Sequence, residues 1–326
     1  MKPAKHISAQ PASAVEVITT EPLPTLIRAF EGWLQNNDKS AHTVRVYAFT
    51  VRQFAAWFEQ TNCYVLAPNV LTPTDLRQYR EKLIADGSKP TSINRMIAAL
   101  RAFGQWSSET YDLPNPADRI KTVSVSKLHE PNSLDKQALY KLQKALDRRA
   151  AYAAQKGREL AWVQRDSAII LTLLHTGLRV GELCALKLDD VQIKDRSGKV
   201  TVRRGKGMRY REVPLNATAR QVLQAWLAVR PAIVADESVS ALFVSKYREP
   251  LGAGAVQHLL REISQETGHE ITPHMLRHSF AKALVDSGVG LEKVAALLGH
   301  TSLETTRVYT VPTERDLVLA VNRLDL

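Results

Sequence analysis

The sequence predicts a mainly α-helical protein with a small antiparallel β-sheet, divided into two domains. Most apolar residues recur at helical spacing, and only two short β-like runs flank a glycine-containing turn. The stretch Leu113-Pro114-Asn115-Pro116 interrupts the helical pattern, because no helix continues across two prolines so close together. With 326 residues, the chain also exceeds what one compact core usually holds.

The first domain is expected in residues 22–112, after a flexible tail of residues 1–21 that lacks the apolar run of a signal peptide. Its helices are predicted from four apolar stripes at helical spacing, in residues 26–34, 44–58, 76–85 and 93–106. Residues 113–132 are polar and basic, so we expect an interdomain linker that lets the two halves enclose a ligand.

The second domain is expected in residues 133–326, with a C-terminal tail from about residue 313. Two strands, 199–204 and 210–215, should form a hairpin with Lys206 at its tip, where Gly205 and Gly207 supply positive φ. Residues 242–244 should add one more short strand. Helices are predicted in residues 167–175, 217–229, 253–267, 273–286, 291–298 and 303–309, with a charged insert at 148–165.

Composition indicates a nucleic acid partner. Lys and Arg number 44 against 33 Asp and Glu, and a net charge of +11 attracts a polyanion. The two cysteines, Cys63 and Cys184, have neither disulfide-framework nor zinc-site spacing, which fits a cytoplasmic protein. The sequence has no uninterrupted run of about eighteen apolar residues, so it does not predict a membrane-spanning helix.

Four segments carry residues suited to chemistry on a phosphate. In the first, Arg179 lies in a turn where Gly177 and Gly181 leave space for a phosphate, and Glu182 is placed to hold that arginine. In the third, His274 and Arg277 are three residues apart and therefore share a helix face. The segments are Thr176-Gly177-Leu178-Arg179-Val180-Gly181-Glu182-Leu183, Lys206, His274-Met275-Leu276-Arg277-His278, and Leu298-Gly299-His300 followed by Tyr309.

These motifs, in this order, resemble the tyrosine recombinase (phage integrase, Xer-like) family. The resemblance rests on motifs from about residue 133 to 312, and on size and pattern in residues 22–112. It implies a helical core-binding domain plus a tyrosine-recombinase catalytic domain that close on double-stranded DNA as a C-shaped clamp. It also implies a site-specific recombinase that acts as a tetramer on two DNA sites, with accessory DNA-bending or directionality proteins as further partners.

The resemblance assigns each residue a task that phosphoryl transfer requires. Tyr309 would attack the phosphate and leave a 3′-phosphotyrosine, which stores the bond energy so that no ATP is needed. Arg179, Arg277 and His300 would bind the non-bridging oxygens in place of a metal ion. Lys206 would protonate the leaving 5′-oxygen, His274 would take the tyrosine proton or orient the phosphate, and Glu182 would support Arg179. No cofactor and no metal are implied.

Each residue also has an ordinary structural interpretation. Tyr309 alone would be a packing residue, the arginines surface charges, and His300 a helix C-terminal cap. Lys206 could belong to a solvated basic ribbon with its neighbours on the hairpin. The occurrence of all of them in a fixed order favours the catalytic interpretation. His274 and His278 have the spacing of a zinc pair but lack the glutamate of HExxH, so we do not predict a metal site, and the role of His278 stays open.

DNA contacts in the first domain are predicted more loosely, because the same polar residues suit helix caps or a solvated face. Basic residues of the hairpin are further candidates. The predicted contacts are Thr43, Arg45, Lys89, Ser92, Asn94, Arg95, Arg203 and Arg209.

Three other outcomes are compatible with this sequence. The same chemistry could serve a type IB-like topoisomerase or a telomere resolvase, and a noncatalytic DNA-binding protein could use the same scaffold.

The segment after residue 313 could pack on its own domain or on a neighbouring protomer. Integration, resolution and chromosome dimer separation would all use the predicted reaction.

Overall fold

The structure is a computed structural model. It describes residues 21–124, 132–156, 160–203, 210–234, 236, 238–300, 302–310, 318 and 321–322. The predicted hairpin tip with Lys206 and Arg209 lies outside the described residues, as does nearly all of the tail from residue 313. The chain divides into two compact units, Met1–Lys127 and Leu128–Leu326.

The first unit consists of four helices around an aromatic core. Phe30 meets Phe103 edge to face with ring centroids 5.4 Å apart, and Phe54 and Trp106 are also buried. Such burial of large apolar side chains is the main stabilising contribution to a helical unit of this size. The helices are α1 (Leu23–Asn36), α2 (Ala41–Asn62), α3 (Pro73–Ala85) and α4 (Pro90–Tyr111).

The chain after α4 continues to pack on the first unit. Ala117 and Ile120 are buried in its core, although the sequence assigns residues 113–132 to a linker. The side-chain amide of Asn94 donates to the carbonyl of Val123 at 2.9 Å and accepts from its N–H at 2.8 Å. A side-chain amide thus satisfies both backbone groups of a segment that has no strand partner.

The second unit is mainly helical with one three-stranded antiparallel sheet in the order β1-β2-β3, in which Val200 pairs with Val213. Helix α6 (Leu160–Thr176) lies in the core of this unit, with Ile170 and Leu173 fully buried. The elements are α5 (Lys136–Lys156), α6 (Leu160–Thr176), α7 (Val180–Cys184), β1 (Val191–Ile193), β2 (Gly198–Arg203), β3 (Tyr210–Pro214), α8 (Ala217–Ile233), α9 (Ala253–Thr267), α10 (Pro273–Asp286), α11 (Leu291–Leu298) and α12 (Glu304–Arg307). A 3-10 helix, Val308–Thr310, follows α12.

Two local predictions need correction. The predicted strand at 242–244 forms only isolated bridges, because side chains of α8 bind the carbonyls of this loop: Trp226 donates to Leu242 at 3.0 Å and Arg230 to Ala241 at 2.6 Å. Strand β1, Val191–Ile193, was not predicted from the sequence.

The charged stretch 148–165, predicted as an insert, falls on α5 and α6 on either side of residues 157–159. No helix among the described residues has the length and apolar character needed to cross a bilayer.

Candidate active site

The turn between α6 and α7 brings Arg179 to the site and depends on Gly177. Gly177 has φ +62°, and a Cβ atom there would come within 2.4 Å of the Phe280 ring and 2.9 Å of Leu298. Only glycine tolerates both the left-handed backbone and this close approach. The turn can therefore pack directly against α10, which carries Arg277, and α11, which leads to His300.

Glu182 holds Arg179 in two ways. Its Oε2 accepts the backbone N–H of Arg179, and its Oε1 accepts Nη1 of the Arg179 side chain, both at 2.9 Å. The side chain of Arg179 remains 38% exposed. The guanidinium is thus fixed at one end while other N–H groups can reach a ligand.

A third residue, Arg211 on β3, shares the Glu182 carboxylate. Its Nη1 and Nη2 donate to the two carboxylate oxygens at 2.9 and 2.7 Å, and its Nε donates to the carbonyl of Leu297 at 2.9 Å. Burial alone would raise the pKa of Glu182, but the hydrogen bonds from Arg211 and Arg179 outweigh it and lower that pKa to about 2. Glu182 is therefore a carboxylate at every pH at which the protein is expected to work.

Arg277, on α10, is buried and bound to backbone carbonyls rather than to a carboxylate. Its two Nη groups donate to the carbonyls of Gly177 and Leu298. Burial, together with the neighbouring charge of Arg179, lowers the pKa of Arg277 to about 10. The side chain keeps its charge at neutral pH without an ion pair that would neutralise it.

His300 follows Gly299, the left-handed residue that ends α11, so its backbone does occupy a helix C-terminus. Its side chain faces the arginines: burial and the charges of Arg277 and Arg179 lower the pKa of His300 to about 4. Its Nδ1 lies 2.9 Å from the hydroxyl of Thr306. With that hydroxyl donating to Nδ1, the neutral ring carries its proton on Nε2 and can donate it to a ligand.

Tyr309 is only 5% exposed and packs with Leu298 and Val294. The packing interpretation is therefore correct as far as it goes, but the hydroxyl also lies 2.8 Å from Nδ1 of His278. Burial raises the pKa of Tyr309, while the charges of Arg277 and Arg179 act in the opposite direction. The phenol thus lies within the field of both arginines.

His278 and Arg211 are the residues whose part the sequence did not reveal. His274, expected to take the tyrosine proton, is exposed, whereas His278 one turn later contacts the hydroxyl. Spacing alone cannot distinguish two histidines on neighbouring turns. For Arg211 a signal did exist: it alternates with buried Val213 on β3, so a charged residue stands at an inward position of a strand.

The residues predicted to contact DNA differ in whether their side chains already have partners within the protein. Thr43 bonds Ser40 at the start of α2, and Asn94 binds Val123, so the structure accounts for both without DNA. Arg203 forms an ion pair with buried Asp190. The side chains of Arg45, Lys89 and Arg95 are exposed, and Ser92 is half-buried.

Among the residues that the structure describes, no group of three or more His, Cys, Asp or Glu side chains is arranged to hold a metal ion.

Comparison with known proteins identifies the family. Residues 152–315 match the phage integrase family, and residues 27–109 match the phage integrase N-terminal SAM-like domain. The chain is 33% identical to tyrosine recombinase XerA of Thermococcus kodakarensis over 308 residues, covering 92% of this chain and 95% of that one. It is 31% identical to tyrosine recombinase XerC of Thermodesulfovibrio yellowstonii, covering 85% and 87%.

Solved structures agree on the fold. The XerH site-specific recombinase in its post-cleavage complex with palindromic difH substrate has a TM-score of 0.71 at 20% identity, covering 92% of this chain and 84% of that one. A lambda integrase dimer bound to a COC′ core site has a TM-score of 0.61 at 20% identity, covering 88% and 94%. With both domains matched and the curated relatives covered over most of their length, the chain belongs to the phage integrase family of tyrosine recombinases.

Proposed function

We propose that this recombinase cuts and rejoins double-stranded DNA at specific sites through a 3′-phosphotyrosine formed on Tyr309. The observation that carries the proposal is the convergence of Arg179, Arg277 and Tyr309, since both guanidinium charges act on the buried phenol. Phosphoryl transfer needs a nucleophile and positive charge around the phosphate oxygens, and the presence of a tyrosine hydroxyl within the field of two arginines supports this proposal.

The reaction follows from these groups. The Tyr309 oxygen attacks the phosphorus, a phosphotyrosyl ester forms on the 3′ side, and the bond from phosphorus to the 5′-oxygen breaks. Arg179, Arg277 and the Nε2 proton of His300 bind the non-bridging oxygens. Lys206 is proposed to protonate the 5′-oxygen. Religation reverses these steps, so the ester conserves the bond energy and neither ATP nor a metal ion is required by the chemistry.

The phenol proton has a nearby acceptor in His278. Burial, followed by the charges of His274 and Arg277, lowers the pKa of His278 below its usual value. The ring is therefore neutral at neutral pH, and its Nδ1 can accept the proton across the 2.8 Å contact. On this proposal His274, which is exposed on the same helix, contacts the phosphate or relays the proton onward.

The proposed partners follow from the same reaction. Strand exchange needs four nucleophiles on two duplexes, which is the reason to propose a tetramer, with accessory bending or directionality proteins setting the outcome. The difH and core-site complexes of the structural neighbours support duplex DNA as the substrate. Since the proposed substrate is DNA inside the cell, we propose a cytoplasmic location. Exposed Arg45, Lys89 and Arg95 remain proposed DNA contacts, as do Ser92, Arg203 and Arg209.

The test begins by selecting a binding site from a random-sequence duplex library with the purified chain. The selected duplex, nicked so that cleavage is trapped, is then incubated in EDTA with wild type, Tyr309→Phe or the control Tyr247→Phe, whose ring is 73% exposed. We expect an SDS-resistant protein–DNA adduct with wild type and Tyr247→Phe and none with Tyr309→Phe. Selected DNA that is bound but never linked to wild type would contradict the proposal and favour a noncatalytic binder.

Whether two duplexes exchange strands is a separate measurement. Two labelled duplexes of different length, each with the selected site, should yield recombinant lengths. Relaxation of supercoils without recombinant products would instead indicate a topoisomerase-like outcome of the same chemistry.

A further inference from the structure

Arg211 occupies a position from which it contacts two of the proposed catalytic segments and belongs to the strand that leads to a third. It lies on β3, two residues after the hairpin tip that includes Lys206. It binds both oxygens of Glu182, which holds Arg179, and the carbonyl of Leu297 in the last turn of α11 before His300. A Cβ atom on Gly299 would come within 2.8 Å of its Nη1. Strand, turn and helix end are thus packed around one guanidinium.

The contacts of Arg211 indicate that it acts through other residues. Its side chain is only 13% exposed, and one N–H of each of its three nitrogens is already bound within the protein. Arg179, by contrast, is 38% exposed and makes one side-chain hydrogen bond among the described residues. A phosphate can therefore be bound by Arg179 far more readily than by Arg211.

The sharing of Glu182 between two arginines has a consequence for Arg179. A carboxylate binds a guanidinium most strongly through two parallel hydrogen bonds, and Arg211 holds Glu182 in that way. Glu182 therefore offers the Arg179 side chain one oxygen only. Oε2 also accepts the backbone N–H of Arg179, but each carboxylate oxygen can accept two hydrogen bonds. Without Arg211, Oε2 could therefore accept a second bond from the Arg179 side chain, and a two-point ion pair would compete with the phosphate for it.

We infer that Arg211 is a positioning residue: by occupying Glu182 it leaves Arg179 available to the DNA phosphate, and it holds β3 against the end of α11. This inference rests on the function proposed above. It assigns a role in the reaction to a residue that, in the sequence, is one of several basic residues on a hairpin.

The test compares single-turnover cleavage of the nicked selected duplex by wild type, Arg211→Met and the matched control Lys199→Met. Lys199 lies on the neighbouring strand β2 and makes an exposed ion pair with Glu212, so its loss removes one charge from the same sheet. We expect Arg211→Met to lower the rate about 10- to 100-fold, the usual effect of removing a partner that orients a reacting group. Lys199→Met should stay within about threefold of wild type.

The double variant Arg211→Met/Glu182→Gln provides a readout that a merely structural role would not change. A neutral amide no longer competes for Arg179, so we expect the double variant to cleave faster than Arg211→Met, by about tenfold. Arg211→Lys, which retains the charge but not the two-point geometry, should lie between wild type and Arg211→Met. Thermal unfolding and duplex binding are measured for each variant, and Arg211→Lys carries the test if Arg211→Met does not fold.

Two results would overturn the inference. One is cleavage by Arg211→Met at the wild-type rate, and the other is a double variant no faster than Arg211→Met. Failure of the underlying function is distinguishable from both, because wild type itself would then form no adduct.

Discussion

The turn that carries Arg179 and the helix that carries Arg277 hold their arginines in opposite ways. Arg179 is bound to a carboxylate and is 38% exposed, whereas Arg277 is 4% exposed and bound to two backbone carbonyls. Carbonyls orient a guanidinium without cancelling its charge, whereas a carboxylate orients the guanidinium and also offsets its charge. Arg277 is therefore both a proposed phosphate ligand and part of the protein core. Arg179 is a proposed phosphate ligand that does not belong to the core.

Replacing Arg277 should have the largest effect. Arg277→Met leaves the carbonyls of Gly177 and Leu298 buried without donors, at about 1–3 kcal/mol each, and removes a charge from the phosphate site. We expect cleavage to fall roughly 10²- to 10³-fold and the free energy of unfolding to fall as well. Single-turnover assays and denaturant titration measure the two effects. An Arg277→Met protein as stable as wild type would show that the carbonyl contacts do not stabilise the fold.

Replacing Arg179 should separate activity from stability. Arg179→Met leaves Glu182 paired with Arg211, so we expect unfolding to change by less than about 1 kcal/mol. Cleavage should still fall about 10²-fold or more, because a donor to the transition state is lost. The same assays check both expectations, and a stability loss equal to that of Arg277→Met would remove the contrast between the two regions.

The proposed proton acceptor gives a smaller, pH-dependent effect. His278 can accept the Tyr309 proton only when it is neutral, so cleavage should be present above the pKa of His278 and decline as pH falls through it. Since burial lowers that pKa, the decline should lie below the usual histidine range. His278→Gln should slow cleavage by about 10²-fold and abolish this limb of the profile. An unchanged profile in His278→Gln would indicate another acceptor, with His274→Gln as the matched comparison.

The smallest expected effect is a change in the pKa of His300, which responds to the charges of both arginines. Burial contributes most to the lowered pKa of His300, followed by the charge of Arg277 and then that of Arg179. An NMR titration should therefore show the pKa of His300, about 4 in wild type, rising more in Arg277→Met than in Arg179→Met. A larger rise in the pKa of His300 in Arg179→Met than in Arg277→Met would show that the charge of Arg179 has the stronger effect.

The pKa of His300 also determines the sign of a stability effect. A histidine whose pKa is depressed by folding contributes stability above its unfolded pKa of about 6.5 and loses it as pH falls toward about 4. As pH falls from neutral to about 4, the free energy of unfolding should therefore decrease more in wild type than in His300→Asn.

The sequence was most informative where chemistry fixes both residue type and order. Arg179, Arg277, His300 and Tyr309 could be selected because their motifs recur in a fixed order, and the fold brings these four side chains into electrostatic contact. It was least informative where the deciding fact is a partner far away in the chain. The contact of His278 with Tyr309 spans 31 residues, and no periodicity distinguishes it from His274.

The first unit shows the same limit in another form. Polar residues at a helix start serve equally as caps, as clamps for a passing segment or as DNA contacts. Only the structure shows that Thr43 bonds Ser40 and that Asn94 holds Val123. The apolar stripes, in contrast, predicted all four helices of that unit, because helical spacing of large side chains determines which face is buried.

The hydrogen bond from Arg277 to Gly177 joins residues 100 positions apart, and the phenol that lies near both arginines is synthesised later still. During translation, the turn of Arg179 leaves the ribosome first, then α10 with Arg277, and Tyr309 last of the group. All three residues lie in the unit Leu128–Leu326, and a compact unit folds as a whole. The two arginines and the phenol therefore come together only after synthesis has passed Tyr309.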